Sequence, residues 1–197
     1  MTKTTSPDLS APSQQARKAA LRQAALARRD AIDLDDRLEA DQAIAAHALA
    51  LPVWGEGGPV SAYWPMRSEA DPRPIFEDLH RLDLALCLPA IVAGRMIFRR
   101  WAPYEPIVPG GFGTLVPPES QPETAPRILL VPLAAFDRRG YRIGYGKGYY
   151  DRALSELGPT VSIGLGYAAQ EIDAVPDEPH DRALDWIVTE RETIRCG

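Results

Sequence analysis

Alanine and leucine recur between residues 14 and 29 against a background of Arg, Gln and Lys, all strong helix formers, and predict a first helix. A second helix is predicted from about Leu34 to Leu51, with Asp33 as its cap, Asp35 and Asp36 at its positive end and Pro52 as its stop. The pattern then changes period. Pro59 to Trp64 is a β-branched and aromatic run that reads as a buried strand. Asp71-Pro72 has the chemistry of a helix start, and that helix continues through Leu82. Leu84 to Leu88 and Met96 to Trp101 read as further strands. Ile128 to Leu133 is continuously apolar, as expected of a strand covered on both faces in a parallel sheet. A helix near Tyr149 to Leu157 and strands at Val161 to Leu165 and Trp186 to Val188 follow. Strands alternating with helices predict an α/β fold whose ligands sit beyond the carboxyl ends of the strands.

Between these elements, residues 102 to 126 are rich in proline and carry Gly110, Gly111 and Gly113 around Phe112, which predicts a long functional loop. No repeat and no second core is visible, so residues 14 to 197 are expected to form one domain. Residues 1 to 13, with Pro7 and Pro12 among serines, lack apolar periodicity and are expected to be a disordered tail. The Arg- and Ala-rich stretch from 17 to 29 also has the look of a transit peptide, but Asp8 and the lack of a cleavage site favour a structural helix.

Charge narrows the function classes. The 197 residues include 22 Lys and Arg against 27 Asp and Glu, a net charge of −5, which disfavours general nucleic-acid binding. Cys87 and Cys196 lie far apart without ligand-spaced partners, which argues against a zinc site and for a reducing compartment. Cys87, within an apolar run, is expected in the core. No apolar run approaches the roughly 20 residues of a membrane span, so a cytoplasmic location is expected. No obligate protein partner is evident.

The richest segment follows the best strand and runs from Phe136 to Arg152. Its Gly144, Gly146 and Gly148, with Gly140 before them, allow backbone N–H groups to approach an anion, and the following helix N-terminus adds positive potential. A Walker loop would need Gly at Tyr141 and Ser or Thr at Gly148, and the dinucleotide fingerprint needs another glycine spacing, so neither applies. A plain strand-to-helix turn would account for the glycines, though not for Arg142, Lys147 and Asp151 crowded among them. Phosphate binding accounts for both. Asp151 would then hold Mg²⁺ against a bound polyphosphate, with Asp181 in the turn-like Pro179-His180-Asp181 as a second carboxylate. Taken singly, Asp151 also suits a helix cap, and Asp181 and His180 suit a solvated loop. Lys18 and Arg22, four apart on one helix face, would clamp phosphates, or else line a solvated surface. Trp64 and Met66 beside Glu69 suit a flat heteroaromatic ligand with hydrogen-bond donors, or equally a core edge with a loop acid.

Taken together these pieces resemble the 5-formyltetrahydrofolate cyclo-ligase family, also called 5,10-methenyltetrahydrofolate synthetases, over nearly the whole chain after the tail. The most specific match is Arg142-Ile143-Gly144-Tyr145-Gly146-Lys147-Gly148-Tyr149-Tyr150-Asp151, similar to the family's glycine-rich signature after an Asp137 and Gly140 turn. Lys18 to Arg22, the Glu69 segment, Trp101 with the Gly110 to Gly113 loop, and Val175-Pro176 leading to Asp181 support it. The resemblance implies a single-domain three-layer α/β sandwich with a mostly parallel central sheet, resembling the sugar-phosphate isomerase and CoA-transferase architecture. It implies ATP contacts from Lys18, Arg22 and Arg142 to Tyr150, with Lys147 and Arg142 as catalytic cations. Folate would face Trp64, Glu69 and Tyr145 to Tyr149, and Asp151 and Asp181 would hold Mg²⁺. The implied reaction converts 5-formyltetrahydrofolate and ATP, the co-substrate, into 5,10-methenyltetrahydrofolate, ADP and phosphate.

One departure is Tyr145, where relatives also carry Arg, leaving one fewer cation. Two other readings remain distinct. A phosphosugar enzyme of related architecture would need neither the Lys18 and Arg22 helix nor metal carboxylates, and a non-catalytic effector module would bind ligand without turnover.

Overall fold

The structure is a computed structural model, and it describes residues 13–178 and 181–196. The predicted disordered stretch up to residue 12, and His180, lie outside the described residues. Helices α1 (Gln14–Asp30) and α2 (Leu34–Leu49) match their predicted starts. Ser13, counted with the tail in sequence, caps α1 by accepting from the Ala16 amide, and Asp33 caps α2 by accepting from Asp36. After β1 (Val60–Ser61) comes α3 (Arg73–Arg81), one residue later than Asp71-Pro72 suggested. Pro72 occupies the cap position, and the Asp71 carboxylate accepts from the Arg73 amide instead. β2 (Leu86–Val92) and β3 (Arg95–Arg100) form a hairpin, turning through Ala93 and Gly94, both with positive φ. The sequence reading ended the first of these strands at Leu88. Its continuation pairs only with β3, the parallel partnership with β1 stopping at Cys87, which leaves Pro89 compatible with a strand.

The long loop holds a small hairpin of β4 (Val108–Pro109) and β5 (Leu115–Val116), with a 3₁₀ turn at Gly111–Gly113 between them. β6 (Ile128–Pro132) leads to a third hairpin, β7 (Ala135–Phe136) and β8 (Arg142–Ile143), then to α4 (Tyr149–Glu156). β9 (Val161–Leu165), β10 (Trp186–Val188) and β11 (Thr193–Arg195) complete the chain.

Seven strands form the central sheet in the order β11-β10-β9-β6-β1-β2-β3. The inner pairs are parallel, and only the outer pairs β2–β3 and β10–β11 are antiparallel. Alternation along β6 shows why the sheet is covered on both faces. Ile128 and Leu130 join Ile44 and Ala48 of α2 and Ile75 and Phe76 of α3 in one core. Leu129 and Val131 point the other way, into a second core with Ala153 and Leu154 of α4. Cys87 is buried in that second core, as expected. α1 packs apart from both, placing Ala25 against Ala135 and Ile143 of the β7–β8 hairpin. The result is a single-domain α/β sandwich. The chain goes from β1 to β2 toward one edge and from β6 to β9 toward the other, so the carboxyl ends of β1 and β6 are the switch point of the sheet, where the crevice of such a fold lies.

Candidate functional site

Two segments leave that crevice side by side. The first follows β1 and runs from Ala62 to Asp71. The Tyr63 hydroxyl donates to the Ala70 carbonyl at 2.7 Å, and Asp41 of α2 accepts from the Asp71 amide at 3.1 Å. The turn they hold buries Glu69, whose Oε2 accepts from the Met66 amide at 2.8 Å. Glu69 Oε1 is buried with no hydrogen-bond partner among the described residues. Burial raises the Glu69 pKa, opposed by the Met66 amide, the nearby Tyr145 hydroxyl and the charge of Arg29. Trp64 stands half-buried beside it, edge-on to Trp101 at 6.2 Å, with the Arg73 guanidinium over its ring. Trp101 itself is core and meets Phe76 edge-on.

The second segment follows β6. Asp137 is 1 % exposed and anchors the β7–β8 turn, accepting from the Arg139 and Tyr141 amides, the Arg139 guanidinium and the Val175 amide. Gly140 has φ +90° there, and a Cβ would lie 2.6 Å from the Leu184 carbonyl oxygen, so only glycine fits. The hairpin delivers Arg142 at its end. The Arg142 guanidinium donates to Asp151 Oδ1 and the Arg182 carbonyl, at 2.8 and 2.7 Å. Burial lowers its pKa, against the opposing attraction of Asp151 and Asp181. Gly146 and Gly148 have positive φ, and Gly148 occupies the cap position of α4 with no side chain over the helix's first amides. Those amides and the glycine backbone are the elements of an anion cradle.

α1 lies against this cradle. Arg22 Nη1 donates to the Gly144 carbonyl at 3.4 Å and lies 3.5 Å from where a Gly146 Cβ would stand. Lys18 Nζ meets Asp181 at 2.6 Å and Glu178 at 3.2 Å. Burial pulls the Lys18 pKa down, but these partners outweigh it and the net shift is upward. From the other side, Phe112 reaches in from its loop. Its exposed ring lies 6.2 Å from that of Tyr149 and 5.9 Å from Lys147 Nζ. Lys147 is exposed.

The structure thus brings Lys18, Arg22, Arg142 to Asp151 and Asp181 to one edge of the crevice, and Glu69 and Trp64 to its neighbour. Sequence reasoning gave Arg29 no place in the site. It is 2 % exposed, with Nε donating to Ser68 Oγ at 3.0 Å and both terminal nitrogens 3.4 Å from the Tyr145 hydroxyl. Steps of four and seven put Lys18, Arg22 and Arg29 on one stripe of α1, a signal that could have found it. A hard divalent cation brings few protein ligands and takes the rest from phosphate and water. Among the described residues no group of three metal-binding side chains converges. Asp151 and Asp181 both act on Arg142, Asp151 pairing with it and Asp181 pairing with Lys18, and two carboxylates are the number such an ion takes when phosphate oxygens and water complete its shell.

Comparison with known proteins points one way. A sequence model described as the 5-formyltetrahydrofolate cyclo-ligase family matches residues 14–190. A Mycolicibacterium smegmatis 5-formyltetrahydrofolate cyclo-ligase is 33% identical over 148 residues, covering 70% of this chain and 76% of that one. The Haemophilus influenzae 5-formyltetrahydrofolate cyclo-ligase is 28% identical over 155 residues, covering 74% and 83%. Among solved structures, the Aquifex aeolicus 5,10-methenyltetrahydrofolate synthetase superposes with TM-score 0.80 and 28% identity, covering 90% of this chain and 92% of its own.

Proposed function

The chain belongs to the 5-formyltetrahydrofolate cyclo-ligase family, and on that footing we propose that it catalyses the ATP- and Mg²⁺-dependent cyclisation of 5-formyltetrahydrofolate to 5,10-methenyltetrahydrofolate, with release of ADP and phosphate. The observation that carries the reading is the meeting of a cation-lined glycine cradle with a buried, half-unpaired carboxylate at one crevice.

A formamide oxygen is a poor leaving group. Transfer of the ATP γ-phosphoryl to it makes a good one, after which folate N10 attacks the activated carbon and phosphate departs. Phosphoryl transfer asks a protein mainly for positioning and positive charge around the equatorial oxygens. In this proposal Lys18, Arg22 and the backbone from Arg142 to Tyr150 bind ATP, and Lys147 and Arg142 stabilise the transferring group. Lys147 is exposed and suits closing onto a bound phosphate; Arg142 is already fixed by Asp151. Asp151 and Asp181 would hold Mg²⁺, which when bound neutralises phosphoryl charge. Their present partners Arg142 and Lys18 would be shared with the nucleotide. Trp64 and the stretch Tyr145 to Tyr149 face the folate, and Glu69 Oε1 accepts from its pterin donors. We assign residues 14 to 197 to this one catalytic domain. A cytoplasmic location is part of the proposal; separately, no described helix is long and apolar enough to cross a membrane.

The test is absorbance at the methenyl-folate band on mixing purified protein with 5-formyltetrahydrofolate, ATP and Mg²⁺, each omitted in turn. A rise that needs all three supports the reading. Nucleotide binding without a rise would favour a non-catalytic effector module.

A further inference from the structure

A guanidinium taken out of water is costly unless its charge and donors are matched. Arg29 is the large buried side chain of α1, a helix whose other buried residue is Ala25. Its hydrogen bonds go to neutral hydroxyls, one from Ser68 and a long, shared one from Tyr145. The carboxylate nearest to it in contact is Asp30, 3.7 Å from Nε and 61% exposed, and Asp30 is itself engaged by the Ser68 hydroxyl. Asp30 is therefore a long, exposed and shared partner for a buried cation. A second, buried carboxylate follows Ser68, the residue that Arg29 Nε holds at 3.0 Å: Glu69 lies within the field of Arg29.

The groups facing Glu69 come from four segments. They are Arg29 of α1, Tyr145 of the glycine-rich segment, Tyr150 of α4, and Tyr63 and the Met66 amide of its own turn. Burial pushes all three tyrosines up, so they remain neutral, and Arg29 is the single cation among these neighbours. We propose that Arg29 is a positioning residue for the folate side of the site. Its guanidinium supplies the countercharge of the Glu69 carboxylate and ties Ser68 and Tyr145 to α1, leaving Glu69 Oε1 charged and open to the ligand. The inference rests on the assignment of Glu69 to folate binding. It also joins the two halves of the crevice, since one side chain holds the turn after β1 and the segment after β8.

The test is calorimetric affinity for 5-formyltetrahydrofolate between pH 5.5 and 8.5. Without the countercharge Glu69 takes up a proton at higher pH, so the loss must grow as pH falls. Arg29→Met is expected to bind at least about tenfold more weakly than the parent at pH 6 and within about threefold at pH 8.5. Arg29→Lys restores most of the affinity at pH 6. In a Glu69→Gln background, Arg29→Met adds no pH-dependent loss. A loss equal at every pH, or one that persists in the Glu69→Gln background, overturns the proposal in favour of a packing role. Should Arg29→Met not fold, Arg29→Gln carries the same test with the same outcomes. Glu69→Gln alone binding folate as tightly as the parent would overturn the role of Glu69, and the proposal with it, at a step separate from any Arg29 variant.

Discussion

Glu69 is held at a cost that the apo protein bears. Burial raises its pKa above the unfolded value, so its contribution favours folding at low pH and is lost as pH rises through the folded pKa. Above that folded pKa the ionised carboxylate, with one unpaired oxygen, destabilises the fold. Glu69→Gln is expected to raise the melting temperature at pH 7.5, a gain that shrinks toward pH 4, while weakening folate by about tenfold or more and sparing ATP. Scanning fluorimetry across pH, with calorimetry for each ligand, checks both halves, and an unchanged or lower melting temperature at pH 7.5 would contradict the first. The cradle carries the complementary test. Lys147→Ala and Asp151→Asn should each lower kcat/KM by about 100-fold or more with an unchanged circular dichroism spectrum. Wild-type kcat/KM in either variant removes that residue's role.

Between elements, the β7–β8 hairpin decides whether Arg142 reaches its place. Its turn depends on Gly140, where a side chain meets both positive φ and the Leu184 backbone. Gly140→Ala is expected to cost about 2–4 kcal/mol in urea unfolding. A loss under 1 kcal/mol, on the order of a simple propensity change, would mean that the loop around Leu184 yields. Asp33→Ala offers the contrast: it removes the α2 cap and should cost about 1 kcal/mol with kcat/KM unchanged, since the cap lies about two turns before Asp41, the α2 residue that braces the Glu69 turn. The two differ in legibility for the same reason. Helices α1, α2 and α4 and strands β6 and β9 carry enough residues for a period or an apolar run to declare itself. β4, β5, β7, β8 and β11 have two or three residues each, too few for any period, and depend on closures such as Asp137 with Val175.

For the whole molecule, the two thiols report on its integrity. Burial pushes Cys87 up to about 12 and Cys196 up to about 11, one in the core and one at the sheet edge beside Asp137 and Asp185. Neither is a thiolate at pH 8, so both should resist an aromatic disulfide reagent in the native protein and react at the rate of unfolding in denaturant. Fast native labelling of Cys87 would contradict the packing of β2 against the second core. The same global packing sets the site. Residue types, their helical and strand periods, the glycine spacing and the stripe of cations on α1 follow from the chain alone, because each is an interaction among near neighbours. The order of the sheet, the crevice beside β1, the Lys18 bond to Asp181 across 163 residues and the inward turn of Arg29 toward Ser68 were decided only by the tertiary structure. They join segments distant in sequence, and which distant groups meet is set by how all the apolar faces are buried together, which no local pattern contains.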